Sequence, residues 1–454
     1  MKFLIPLLLL LCSAPVFSQI IFEKDLSWEQ LSKKAKNENK LIFLHLEDDH
    51  CQQCNDVASQ GFGATILKEK FEKNFVSMRV NVKTEIGKKL AEKFEIKGAL
   101  VSLFIDADGN ILNRYNGSTS ASFVYAEQAD IALSRTGQKK LKDYENEYKA
   151  GERSSKFLKE YIAKRKELSL PVGDLLEQYF GQLPIDSLKS YDVVKFVYSL
   201  GPTLDSRAYN IIHYGAPRGL VDSVYKTASY EDAVAMNNAI IGNTFRAAVE
   251  KRDKNLAYRL SSFTQNTYNK DYVKGQLASR RGMLRYLYAV KDTVQYIREA
   301  REFLDFTHMR VTVDSLRKMD EADMKNQPPL PPVPFRKEPM RVVRVAPSSQ
   351  FFHMDLNEHA WHFYEMSSKP SDLETALKWS NQCMEFFNGL NQGKQHPMRL
   401  GNPAYIDTYA QILYKLGRKT EAIEWQTKAV EAQKLVGNPE SFECTLLKMK
   451  EGKL

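Results

Sequence analysis

One pair of side chains in this 454-residue chain combines the type and the spacing for covalent chemistry: Cys51 and Cys54, in His50-Cys51-Gln52-Gln53-Cys54. Two cysteines three apart at a helix N-terminus can close a disulfide, and the helix dipole favours a thiolate on the first. Such a thiolate exchanges with other disulfides through a mixed-disulfide intermediate, which requires an accessible sulfur. A protonated His50 lowers the Cys51 pKa, whereas Glu47, Asp48 and Asp49 raise it, so the neighbouring charges oppose each other and fix no redox poise. Two other uses of the pair stay open: a static disulfide or idle thiols on a binding scaffold, and a metal site. The metal site would use Cys51, Cys54 and His50 with an acidic neighbour or His45. Zinc wants four ligands, usually from two such pairs, and no second Cys-x-x-Cys exists in the sequence. The reading therefore includes neither a metal nor another cofactor.

The elements around the pair alternate. Ser27 is a cap candidate for a helix to Asn39, with Trp28, Leu31 and Ala35 at helical spacing. Leu41-Ile42-Phe43-Leu44 is a continuous apolar run that suits a strand buried on both faces. A second helical segment runs from about Cys54 to Asn74 with a break near Gly61 and Gly63. Phe75 to Val82 alternates like a strand, and Glu85 to Phe94 is helical. Val101 to Ile105, the turn Asp106-Ala107-Asp108-Gly109 and Ile111 to Tyr115 give a hairpin signal, and a helix follows over Ser122 to Ser134. The order α-β-α-β-α-β-β-α predicts an α/β domain whose sheet is mostly parallel with an antiparallel hairpin at its end.

A buried strand ending in Cys-x-x-Cys at a helix start, followed by the Asp-x-Asp-Gly hairpin, resembles the thioredoxin fold over about residues 20–136. Lys40 to Cys54 is similar to the family's strand and active-site segment. Phe94 to Gly98 with Val101 to Gly109 is similar to the segment carrying the cis-proline strand. The resemblance implies thiol-disulfide exchange with protein substrates, Cys51 as nucleophile and Cys54 as the buried resolving thiol. It places His45 where the family keeps a buried acid. There it could relay a proton to Cys54, or serve as a core histidine hydrogen-bonded within the strand. Two positions depart from the family: His50 replaces a tryptophan, and Leu100 stands at the cis-proline position. A cis bond before a non-proline residue costs about 3 kcal/mol, so Leu100 is expected trans with a reshaped loop facing the cysteines.

The remainder reads as helical. Phe157, Leu158, Tyr161 and Ile162 form one face, Val193, Val194, Val197 and Leu200 another, and Ile297, Ala300, Phe303 and Leu304 a third. Tyr286, Tyr288 and Tyr296 are expected in the core. Seven of the 17 prolines fall between Pro328 and Pro347, which reads as an extended linker or strap. Ala376-Leu377-Lys378-Trp379 recurs 46 residues later as Ala422-Ile423-Glu424-Trp425. The second unit, Asn402 to Lys434, resembles a tetratricopeptide repeat, with Ala410, Gly417, Ala422 and Ala429 at its small-residue positions. His359 and His362, three apart with no evident partner, are expected at the surface. Cys383 and Cys444 are expected to be buried thiols, though an exported chain could pair them.

Lys2 followed by the apolar run Phe3 to Leu11 has signal-peptide character, with cleavage expected after Ser18. Cys12 suggests a lipoprotein less well, because Leu11 precedes it where a small residue is usual. The expected organisation is a signal peptide at 1–18, a thioredoxin-like domain at 19–136, a helical domain at 137–320, a proline-rich linker at 321–350 and tetratricopeptide-like repeats at 351–454. The fold class is thus an α/β thioredoxin-like domain, a mixed sheet flanked by helices, followed by an all-α region. The charge of +9, from 65 Lys+Arg and 56 Asp+Glu, is spread along the chain and argues for a solvated basic surface rather than a nucleic-acid site.

Two functions from different classes follow. The first is an exported, periplasmic thiol-disulfide oxidoreductase working through Cys51 and Cys54, with protein substrates, a redox partner and a protein ligand on the repeat surface. The second is a non-catalytic binding or assembly protein whose thioredoxin fold is a scaffold.

Overall fold

The computed structural model describes residues 19–48, 52–96, 100–184, 186–187, 190–217, 219–269, 271–326, 347–393 and 397–454. The expected signal peptide, His50, Cys51 and residues 327–346 of the expected linker lie outside the described residues, whereas the ends of that linker, 321–326 and 348–350, are helical. Up to Ser134 the order is α1 (Trp28–Glu38), β1 (Leu41–Glu47), α2 (Gln52–Gly61), α3 (Thr65–Asn74), β2 (Phe75–Asn81), α4 (Glu85–Lys93), β3 (Val101–Ile105), β4 (Ile111–Asn116) and α5 (Ser122–Ser134).

Local chemistry sets most of these boundaries. Ser27 and Gln30 form a reciprocal capping box that starts α1, and Asn39 ends it in the left-handed region that asparagine tolerates. The β3–β4 hairpin turns on Asp106, whose carboxylate accepts hydrogen bonds from the backbone N–H groups of Asp108 and Asn110. Gly109 sits there at φ +94°, where an added Cβ would also press on the Trp28 ring.

The sheet order is β2-β1-β3-β4. Only β1 and β2 are parallel; β1–β3 and β3–β4 are antiparallel. This corrects the expectation of a mostly parallel sheet. β2 ends at Asn81, beside Glu47, and after α4 the strand β3 starts at that same end of the sheet but on the other side of β1, pairing Val101 with Leu46. A parallel β3 would need a crossover to the opposite end.

Alternation along the strands builds two cores. Ile42, Leu44, Val76, Met78, Leu103 and Ile105 face α1 and α4, while Phe43, Phe75, Phe104 and Leu112 face α2, α3 and α5. On the second face the aromatic layer gives way to polar residues toward the C-terminal end of β1. His45 stands there between Arg79 on β2 and Ser102 on β3.

Beyond Ser134 the elements among the described residues are all helices: α6 (Leu141–Lys149), α7 (Ser155–Glu167), α8 (Gly173–Gly181), α9 (Tyr191–Ser199), α10 (Arg207–Gly215), α11 (Leu220–Thr227), α12 (Tyr230–Lys251), α13 (Lys254–Asn266), α14 (Tyr272–Ala289), α15 (Thr293–Thr307), α16 (Val313–Asn326), α17 (Ser348–Met366), α18 (Pro370–Asn391), α19 (Pro403–Lys415), α20 (Lys419–Lys434) and α21 (Glu440–Lys450). Two compact units divide at Ile240 and Ile241, within α12.

In the first unit α7 packs on α6 and α8, and α9 on α11. Phe157, Leu158, Tyr161 and Ile162 are all buried, as their spacing requires. In the second unit α17 pairs with α18 and α19 with α20, and α21 closes the stack. Ala410, Ala422 and Ala429 are fully buried where α19 and α20 meet, and Gly417 turns between them at φ +82°. Tyr286 and Tyr296 are core residues as expected, and Trp379 is buried with its indole N–H donating to Asp305 at 2.9 Å.

Candidate functional site

β1 delivers Glu47 and Asp48 to the sheet edge, and α2 begins at Gln52, so Cys54 lies in the first helical turn. That turn carries no acidic residue to oppose the helix dipole. Cys54 is half-buried and disulfide-bonded, and its partner lies outside the described residues. His50 and Cys51 also lie outside them.

Asn55, next to Cys54, is buried, and its side-chain amide donates to the Asp48 carbonyl at 3.0 Å. This bond spans the segment that carries the cysteines and ties the end of β1 to the start of α2. Sequence reasoning missed Asn55; an amide side chain directly after the second cysteine was the available signal. At the other end of α2, Gly61 allows close approach: a Cβ there would meet the Thr119 carbonyl at 2.3 Å.

His45 lies beneath this region with no exposed surface. Its Nδ1 pairs with the Ser102 hydroxyl at 2.9 Å, its ring meets Phe62 edge-on, and its Nε2 has no hydrogen-bond partner among the described residues. Burial, aided by the positive charge of Arg79, lowers its pKa to about 3. The imidazole is therefore neutral across the physiological range.

Of the three acids expected to raise the Cys51 pKa, Glu47 is engaged by Arg79, and Asp48 lies 3.8 Å from Lys83. Part of the negative field at the strand end is thereby cancelled. Leu100 adopts φ +64°, a left-handed conformation that a bulky side chain occupies only at a cost of about 1–2 kcal/mol. Its carbonyl accepts the Gly117 N–H at 2.7 Å, fastening the approach to β3 onto the exit of β4.

Outside this region the histidine assignment needs correction. His359 is buried rather than exposed, and both His359 and His362 present Nδ1 to the Tyr296 hydroxyl, at 2.5 and 2.6 Å. His359 shares the face of α17 that carries Phe352, Leu356 and Phe363, a periodicity visible in the sequence. Cys383 is buried, and its thiol donates to the His353 carbonyl at 3.0 Å. Cys444 is exposed, not buried, and both thiols are free. Among the described residues, no group of three or more histidine, cysteine or acidic side chains is placed to hold a metal ion. No helix among them is long and apolar enough to cross a membrane.

Residues 28–128 match the family model of a thioredoxin-like domain. The match spans α1 to the middle of α5 and includes all four strands of the sheet. No curated protein matches the chain.

Proposed function

We propose that the thioredoxin-like domain exchanges disulfides with protein substrates outside the cytoplasm, using Cys51 as nucleophile and Cys54 as resolving thiol. The observation that carries this reading is a disulfide-bonded Cys54 in the first turn of α2, directly after the buried strand β1. A disulfide at Cys54 also fits an oxidising compartment, in keeping with the signal-peptide character of residues 1–18.

In the exchange, the Cys51 thiolate attacks one sulfur of a substrate disulfide and releases the other as a thiolate. Cys54 loses its proton and attacks the Cys51 sulfur, closing the Cys51–Cys54 disulfide and freeing the substrate as a dithiol. Two electrons pass to the substrate, and a partner dithiol returns them; run in reverse, the same steps oxidise a substrate dithiol. The ion pair of Glu47 with Arg79 reduces the negative charge opposing a thiolate at the helix start. Neutral His45 contributes a hydrogen-bonding atom rather than a standing charge. The helix pairs α17–α18 and α19–α20 would present the surface that holds a substrate or partner.

Insulin reduction by dithiothreitol or a thioredoxin-reductase couple provides the test. The wild type should accelerate turbidity well above background, and Cys51→Ala should return it to background. Equal, background-level rates for both proteins would overturn the exchange reading. They would favour the scaffold reading, for which the strained Leu100 at the family's cis-proline position is the supporting observation.

A further inference from the structure

The second unit holds a cavity of about 580 Å³ between α12, α13, α14 and α17, a size suited to a small organic ligand. Its position follows from helical spacing. α14 turns Lys274, Leu277, Ala278, Arg281, Gly282 and Arg285 toward it on one continuous face. α12 and α17 supply Phe245, Phe351 and Phe352, so the walls are largely apolar and aromatic.

Two features show a cavity that is kept open. Gly242 and Gly282 sit in helix interiors, where each costs about 1 kcal/mol relative to alanine. Both line the cavity, and a Cβ built on either would meet nothing within 4 Å. Gly275, on α14 with Gly282, is different: a Cβ there would meet the Gln265 carbonyl at 2.7 Å, a close helix contact that demands glycine. No such packing reason applies to Gly242 or Gly282. Their lack of side chains leaves volume.

The polar lining is cationic where it is unpaired. Arg281 gives its Nε to the buried Asp355 at 2.6 Å, and Asp355 also binds His308 at 2.9 Å. The Nη donors of Arg281 and all donors of Arg285 have no acceptor among the described residues. Each guanidinium instead lies over an aromatic ring, Arg281 on Phe351 at 5.1 Å and Arg285 on Phe245 at 4.5 Å. Lys274 is already paired with Asp323 at 2.7 Å. Of the two acids in the lining, Asp355 is thus consumed, which leaves the exposed Glu358 as one carboxylate against Arg246, Arg285 and the free donors of Arg281. Two guanidinium forks held by aromatic rings at the mouth of an apolar cavity match an anionic head on an apolar body.

We propose that this cavity binds a small amphiphilic anion, a carboxylate or phosphate monoester carrying an apolar chain, with its head on Arg281 and Arg285 and its chain against Phe245, Phe351 and Phe352. Calorimetric titration of the full-length protein with dodecanoate and dodecyl phosphate tests it, with dodecyltrimethylammonium as the equal-chain cation. One site should bind at least one of the two anions, and the cation should bind at least tenfold more weakly. Arg285→Gln, at an exposed position, should weaken the anion about tenfold, and Gly282→Leu should abolish binding by filling the cavity. Gly282→Ala should retain binding and raise the melting temperature, which separates a filled cavity from a damaged fold. Absence of anion binding by the wild type, equal binding of the cation, or unchanged affinity in both Arg285→Gln and Gly282→Leu would each overturn the proposal.

Discussion

The two units bury histidine in opposite ways. In the first, His45 has one partner, Ser102, and an unsatisfied Nε2 at the strand end nearest the Cys54 disulfide. In the second, His308 is bound through both nitrogens, to Thr307 and Asp355, while His353 and His359 are held through Nδ1 by Tyr405 and Tyr296. A histidine bound at both nitrogens fixes a unique helix packing, whereas a fully buried nitrogen without a partner is a cost that packing alone does not justify. The contrast separates architecture from a position open to chemistry.

Acidification stresses the comparison most. Burial lowers the pKa of His353 to about 4 and of His359 to about 3, from an unfolded value near 6.5. The unfolded chain therefore takes up these protons first. Their contribution is complete above about pH 6.5 and is lost as the pH falls toward the folded values. By pH 5 the loss is on the order of 2 kcal/mol for each histidine. Asp407, whose pKa burial raises, offsets part of it with the opposite sign. In a Trp28→Phe chain, fluorescence reports only Trp361, Trp379 and Trp425, all in the second unit. Its urea midpoint should fall clearly between pH 7 and pH 5; an unchanged midpoint would show that the network is not buried as described.

Asp355→Asn is the next largest perturbation. It leaves Arg281 without its counter-charge and weakens the hydrogen bond of the buried His308, and should cost the second unit about 3 kcal/mol. The same fluorescence-detected urea titration measures it, and a cost below about 1 kcal/mol would mean that water or another group takes over. The smallest effect is expected in the first unit. His45→Leu removes an unsatisfied nitrogen while leaving the Ser102 hydroxyl to find a new acceptor, so stability should change by no more than about 1 kcal/mol. If the proposed exchange at Cys51 and Cys54 is seen in the insulin assay and then slows severalfold, His45 acts on the chemistry and not on the fold.

What was legible in the sequence was local. The Ser27 cap, the Leu41–Leu44 strand and the Asp-Gly hairpin are each encoded within a few residues, and the structure contains all three. The direction of β3 was not legible, because it depends on where the chain returns after α4. His359 was legible in part: its spacing to Leu356 and Phe363 marks a buried face, but its partner Tyr296 comes from a helix 63 residues away. Asn55 and the Arg79–Glu47 pair were hidden for the same reason, since only the fold brings the strand end, the helix start and β2 together.

The burial of Cys383 has a practical consequence. Its thiol pKa is pushed well above the ordinary value, and the sulfur is shielded from reagents. Cys444 is exposed and reacts in any folded state, whereas Cys54 is blocked while its disulfide persists. Among the described cysteines, alkylation of the folded protein thus has a fixed baseline at Cys444, and mass added after mild reduction counts the thiols released with Cys54. The molecule carries an internal reference against which the oxidation state of Cys54 can be weighed.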